Sequence, residues 1–281
     1  MQCVGGQCPE GVRARKSRFE DMTATEDYFS RSIMLYGRRG FEVLQGCTVA
    51  VVGLGGVGSY AAEALCRGGV GGIRLIDCDI IKPSDVNRQV IALATNAGER
   101  KVDAAISRLE RINPQARLDG RHAFFHQDTA DDLLGVPVDF VVDAIDSMNP
   151  KAELVSQCVG RSLAVISVLG AAGKTDPMKV RLGLLGKTEV CPLARALRRY
   201  LRNRKTTTDI PVVYSTEKPL QPHPDGPPPL PETSGTYVRG RARKSLPTLP
   251  TIPAIFGLIA ANYVILELLK KASGSYFQVS E

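Results

Sequence analysis

The sequence lacks the marks of several protein classes. It holds no Cys-x-x-Cys pair, so a zinc site built from four cysteines is not expected. Its first 30 residues contain no apolar run of secretory type. Seven cysteines, at 3, 8, 47, 66, 78, 158 and 191, make an odd number, several of them in apolar contexts. Together these features suit free thiols in a reducing, cytoplasmic setting. Negative charge is also in deficit. The formal charge is +7 and the pI about 9.1, which weakly favours an anionic partner. Helix- and strand-forming periodicity is missing from 217–253, which is rich in proline and reads as a loop. Residues 1–24, with Arg13, Arg15, Lys16 and Arg18, read as a flexible basic tail.

What is present is organised around Val49-Ala-Val-Val-Gly53-Leu-Gly55-Gly56-Val-Gly58-Ser59. Four apolar residues in a row read as a strand buried on both faces. Glycines 53, 55 and 58 permit a tight turn, close approach to a phosphate and close helix–strand packing. The following helix, Ser59 to Arg67, would point its N-terminal N–H groups at that phosphate. The chain returns through Ile73-Arg-Leu-Ile-Asp77, whose acid lies about 20 residues beyond the glycines, where a ribose hydroxyl is usually gripped. The unit reads as a nucleotide site, without saying which nucleotide.

Beyond it the spacing predicts helices over 28–44, with a break at Leu35-Tyr36-Gly37, and over 98–112, 131–134, 151–161 and 192–205. Strands are expected over 116–125, 139–146, 163–169 and 179–185. This alternation implies an α/β, Rossmann-like, doubly wound and mainly parallel sheet, with a C-terminal extension. An apolar helix over 254–271 approaches membrane-spanning length, but Asn262 and Glu267 interrupt it. A core or dimer-interface helix is favoured over an anchor, with membrane association left open. Residues 25–281 are taken as one domain.

Asn87-Arg88-Gln89, Lys101 and the acids Asp143 and Asp146 go beyond what hydride transfer needs. Cations offset charge developing on phosphate oxygens, and a carboxylate can hold magnesium. Gly53-x-Gly55-Gly56-x-Gly58, Asp77-x-Asp79, Asn87-Arg88-Gln89, Gly98 with Lys101, and Asp143-Ala-Ile-Asp146 resemble the adenylating superfamily of ubiquitin-activating-like enzymes, which includes ThiF, MoeB and HesA. Within it the chain is most similar to the tRNA threonylcarbamoyladenosine dehydratases. The shared elements include Arg31 to Gly37, Arg111 to Pro114, Pro150-Lys-Ala, Gly170 to Gly173 with Asp176-Pro177, and Ser215-Thr-Glu217.

The resemblance implies ATP and Mg2+ as cofactors and tRNA as partner. Gly53, Gly55, Gly56 and Gly58 would lie against ATP, with Asp79, Asn87 and Gln89 nearby; Asp143, second to Asp146, would either join them or only cap or orient. Asp77 would hold the ribose, Arg88 and Lys101 the triphosphate, and Asp146 magnesium. Arg31 would be lent across a homodimer interface. Arg195, Arg198, Arg199 and Arg202, and a second cluster at Arg239, Arg241, Arg243 and Lys244, would suit a tRNA backbone. The implied reaction is ATP-dependent cyclisation of N6-threonylcarbamoyladenosine through an acyl adenylate, with no enzyme thiol. Room is left for a sulfurtransferase partner. Adenylation of the C-terminal glycine of a ubiquitin-like sulfur carrier is the alternative. A nucleotide-sensing scaffold and an NAD-linked oxidoreductase fit less well.

Overall fold

The computed structural model describes residues 27–227, 231–232, 243–244 and 246–273. The expected basic tail, Cys3, Cys8, Arg239 and Arg241 lie outside the described residues.

The first helix, α1 (Ser30–Gly46), kinks at Gly37, as the Leu-Tyr-Gly break implies. Then β1 (Thr48–Val52), α2 (Gly58–Arg67) and β2 (Gly72–Asp77) form the opening unit. They are followed by α3 (Lys101–Glu110), β3 (Arg117–His122), α4 (Ala130–Leu134), β4 (Phe140–Asp143), α5 (Met148–Gly160) and β5 (Val165–Val168). The chain continues through β6 (Val180–Leu184), α6 (Pro192–Asn203) and β7 (Pro211–Ser215). A short antiparallel pair, β8 (Pro231–Glu232) and β9 (Arg243–Lys244), precedes α7 (Thr251–Ser273).

The main sheet has seven strands in the order β3-β2-β1-β4-β5-β7-β6. Every neighbouring pair is parallel except β6 with β7. The order reverses beside β1, where Val51 pairs with Leu75 on one side and Val142 on the other. Ligands of open α/β sheets bind outside the strand C-termini at such a switch point. The β1 run is buried on both faces because helices cover both.

Three sequence expectations change. The strand read over 139–146 ends at Asp143, so Asp146 sits three residues beyond it in a turn. A strand not among those expected, β7 from the Ile210-Pro-Val-Val-Tyr214 run, lies between β5 and β6. The proline-rich stretch contains the β8–β9 pair, and α7 begins inside it at Thr251.

Helix α7 is long and apolar enough to cross a membrane, and part of that apolar surface packs into the core. Thr251–Lys270 has a mean hydropathy of 2.0, and half of that window is buried. Ile252, Phe256, Ala260, Ala261, Val264, Leu268 and Leu269 join the core cluster that also holds Leu44, Leu65 and Val142. Each buried Leu, Ile or Val adds roughly 1.5–3 kcal/mol of transfer free energy. Withdrawing this helix would open the face beneath α2.

Candidate nucleotide site

A cavity of about 270 Å³ opens at the C-terminal ends of β1, β2 and β4. Its floor is the glycine loop. Gly53 has φ +91°, a left-handed conformation. A Cβ on Gly58 would lie 1.7 Å from the Gly53 carbonyl oxygen, so only glycine lets α2 start this close to β1. Gly55, Gly56 and Val57 line the cavity at the start of α2, where a helix N-terminus favours an anion. Gly58 itself serves packing, behind the lining.

Asp77 ends β2 and organises the loop beside it. One carboxylate oxygen accepts from Leu54 N–H at 2.5 Å, the other from Asp79 N–H at 2.8 Å. Burial pushes its carboxyl above the ordinary range, against the pull of Lys101. Lys101 opens α3 and is buried, with Nζ 3.3 Å from Asp79 Oδ2. Burial alone would lower its pKa, but Asp77, Asp79 and Asp85 outweigh that and hold the ammonium above its ordinary value. It is thus a fixed cation facing more carboxylates than it can neutralise.

Arg88 reaches the cavity from the turn after Pro83-Ser-Asp85. Its guanidinium donates to the Ser84 carbonyl at 2.7 Å and to Asp85 Oδ1 at 3.1 Å. Asp85 is buried and also accepts from Lys82 N–H at 3.0 Å. Gln89 is buried at the wall, its Oε1 without a hydrogen-bond partner. Asp146 stands exposed on the rim, in the turn after β4. A carboxylate there is a hard oxygen donor of the type magnesium takes, and it faces the same cavity as Lys101 and Arg88.

The cavity therefore gathers Gly53, Gly55, Gly56, Asp77, Asp79, Arg88, Gln89, Lys101 and Asp146. Asn87 is exposed outside it and accepts from Arg88 at 3.2 Å. Asp143 is a correction. It is wholly buried behind the wall, with Lys151 Nζ 2.7 Å from its Oδ2 and Ser167 Oγ 2.6 Å away. Its carboxylate is turned to Lys151 of α5 and Ser167 of β5, and it is not among the residues that line the cavity. Arg31 is exposed on α1, apart from this cavity.

On α6, Arg195, Arg199 and Arg202 are exposed, but Arg198 is half-buried. Its guanidinium donates to the carbonyls of Leu185 and Thr188 at 3.1 and 3.0 Å, and to the Thr188 hydroxyl. That corrects its assignment as a surface charge for nucleic acid. Arg204 is tied to Glu153 at 3.6 Å. Cys78, Lys82, Ser84, Asp85 and Phe124 also line the cavity, and sequence reasoning passed over them. The acid three residues before Arg88 was the available signal, being at helical spacing for an ion pair.

The ThiF family profile matches residues 29–280. The tRNA threonylcarbamoyladenosine dehydratase of Bacillus subtilis is 36% identical over 243 residues, covering 86% of this chain and 94% of that protein. The Escherichia coli protein of the same name is 33% identical, covering 87% and 94%. The crystal structure of the E. coli dehydratase with AMP superposes with a TM-score of 0.79 at 32% identity, covering 90% of this chain and 98% of that one. Its complex with ATP gives 0.78 at 31% identity, over the same shares. The parallel sheet, the glycine loop at its switch point and these likenesses over nearly the whole length agree: the chain belongs to the ThiF family.

Proposed function

We propose that this chain catalyses ATP-dependent dehydration of N6-threonylcarbamoyladenosine in tRNA. The observation that carries the reading is one cavity holding a glycine loop, the cations Arg88 and Lys101 and a rim carboxylate. It lies in a chain similar over almost its full length to dehydratases of that name.

ATP lies with its phosphates toward Gly55, Gly56 and the start of α2, and its ribose toward Asp77. Arg88 and Lys101 hold the triphosphate. The substrate carboxylate oxygen attacks the α-phosphorus, the bond to the β-phosphate oxygen breaks, and pyrophosphate leaves. Preorganised cations offset the charge that develops as it departs. A nucleophile within the modified base then attacks the acyl carbon, and AMP leaves with the former carboxylate oxygen. The base loses the elements of water, and one proton passes to solvent. Magnesium held at Asp146 would supply Lewis-acid charge on the phosphate oxygens.

The route uses no thiol. Burial pushes the thiols of Cys66 and Cys158 up to about 12, which suits a route without a thiolate nucleophile at either. Arg195, Arg199 and Arg202 offer an exposed basic face for the tRNA backbone. Arg31 shares α1 with Met34 and Leu35, which are 85% and 68% exposed, an apolar surface that suits a homodimer and would bring Arg31 to the second copy's site. We place the reaction in the cytoplasm with its substrate, α7 serving as a core helix.

The test gives purified protein, ATP and magnesium either tRNA carrying the modified base or tRNA lacking it. AMP together with a nucleoside lighter by one water, only with the first tRNA, is expected. AMP without a nucleoside change would redirect the reading to a protein carboxylate. No turnover would overturn it.

A further inference from the structure

Behind the cavity wall sits a second acid–lysine cluster that the reaction above does not use. Lys151 and Asp143 are both fully buried, in the first turn of α5 and at the end of β4. Lys151 Nζ lies 2.7 Å from Asp143 Oδ2, 3.1 Å from Ser167 Oγ and 2.9 Å from the Val168 carbonyl oxygen. The Ser167 hydroxyl donates to the same Asp143 oxygen at 2.6 Å. The other carboxylate oxygen, Oδ1, accepts from Ile145 N–H at 3.1 Å.

That last bond gives the cluster a direction. The turn 144–146 leaves β4 with Ala144 N–H donating to the Val52 carbonyl at 2.9 Å, and it carries Asp146 onto the rim. It also abuts the glycine loop, since a Cβ on Gly53 would meet the Ala144 carbonyl oxygen at 2.8 Å. A buried ion pair adds little net stability over an apolar replacement, so stability alone does not account for this one. A saturated network does fix orientation. A metal ligand, for its part, depends on the partners that orient it.

We propose that Lys151 is a positioning residue: acting through Asp143, it holds the 144–146 turn so that Asp146 meets the magnesium–nucleotide complex. This rests on the reading of the cavity as a magnesium–ATP site. By tying Val168 to the same ammonium, it also aligns the end of β5 with the nucleotide turn. Lys151 therefore sets how much magnesium adds to ATP affinity, and leaves affinity for metal-free ATP alone.

The experiment is calorimetric titration of the full chain with ATP, once with magnesium and once with EDTA. Lys151→Met is the first variant. Lys151→Met with Asp143→Asn is the second, since removing both charges avoids a lone buried carboxylate. The magnesium-dependent gain in affinity is expected to fall roughly 10-fold in a folded variant, with EDTA titrations unchanged. In an Asp146→Asn background the Lys151 substitution should add nothing. An undiminished gain, an equal loss with and without magnesium, or additivity with Asp146→Asn would each overturn the proposal. A wild-type chain with no magnesium-dependent gain would overturn the cavity reading and the proposal together. Loss of the gain in the variant, in a wild type that makes no tRNA-dependent AMP, would support the role of Lys151 and overturn only the reaction.

Discussion

Two lysines stand at the C-terminal edge of the sheet, and their surroundings differ in charge balance and in access. At the end of β2, Lys101 faces Asp77, Asp79 and Asp85 beside an open cavity. At the end of β4, Lys151 faces one carboxylate, a hydroxyl and a carbonyl, with both charges wholly buried. The first cluster keeps a surplus of charge where a ligand can enter. Its ammonium can exchange carboxylate contacts for phosphate oxygens without being left bare. The second is neutral and saturated, so it has nothing to offer a ligand and can only hold its neighbours. Burial does not separate a binding cluster from a structural one. The balance of charge and the access to it do.

The largest expected effect breaks the sealed cluster. Lys151→Met leaves Asp143 buried without its cation and should cost about 3–5 kcal/mol of stability in urea unfolding. Adding Asp143→Asn should restore most of that. If the single variant unfolds at the wild-type urea concentration, the two clusters are not different in kind.

Breaking the open cluster should act on turnover instead. Lys101→Met is expected to lower kcat for tRNA-dependent AMP formation by about 10²–10³-fold. It should cost far less stability than Lys151→Met, because Asp79 keeps access to water (its side chain is 34% exposed). Wild-type turnover in this variant would remove Lys101 from the phosphate site.

The same distinction runs along α6. Arg198 is committed to Leu185 and Thr188, whereas Arg195, Arg199 and Arg202 are exposed. Arg198→Ala should cost about 1–3 kcal/mol of stability and leave tRNA affinity intact in the folded protein. Replacing the other three by Glu should weaken tRNA binding and lower its salt dependence by about one unit of slope per arginine. Identical salt dependence before and after would set α6 aside as a tRNA surface.

Glu63 gives a smaller, pH-dependent contrast. It bridges α2 to α3 through Arg108 at 2.5 Å and pairs with Arg67 of its own helix at 2.9 Å. Burial alone would raise its carboxyl, but hydrogen bonds and charge from Arg108 and Arg67 hold it below the ordinary range. Its contribution is therefore present at and above the ordinary carboxylate pKa, and is lost as pH falls through the lowered folded value. Glu63→Gln should cost about 1 kcal/mol near neutrality and flatten the acid limb of a stability–pH curve. The same acid limb in both proteins would show that the bridge contributes nothing.

The nucleotide half was legible because its chemistry is local. The β1–α2–β2 unit, its glycines and Asp77 occupy one short stretch, in which Gly53 takes φ +91° and Gly58 packs on the Gly53 carbonyl. Arg88, Lys101 and Asp146 could be picked out by residue type, and they line one cavity. Asp143 stays open in the sequence, between meeting the nucleotide and only orienting the chain, because two acids three residues apart look alike. Only strand alternation, with β4 ending at Asp143, turns one inward and releases the other to the rim. Arg198 was misjudged for a related reason, as its anchor at Leu185–Thr188 lies outside its own helix. β7 escaped notice because the Ile210-Pro211 start obscured a short run that only β5 and β6 make into a strand.

The most direct measurement follows one oxygen. tRNA whose threonylcarbamoyl carboxylate carries 18O is turned over with ATP and magnesium, and the nucleotide products are read by mass spectrometry. Attack of that carboxylate on the α-phosphorus predicts one 18O atom in AMP for each base dehydrated, with unlabelled pyrophosphate. With both carboxylate oxygens labelled, one stays in the nucleoside as the acyl carbonyl oxygen; label in inorganic phosphate beside ADP, or AMP formed without label, would contradict the account.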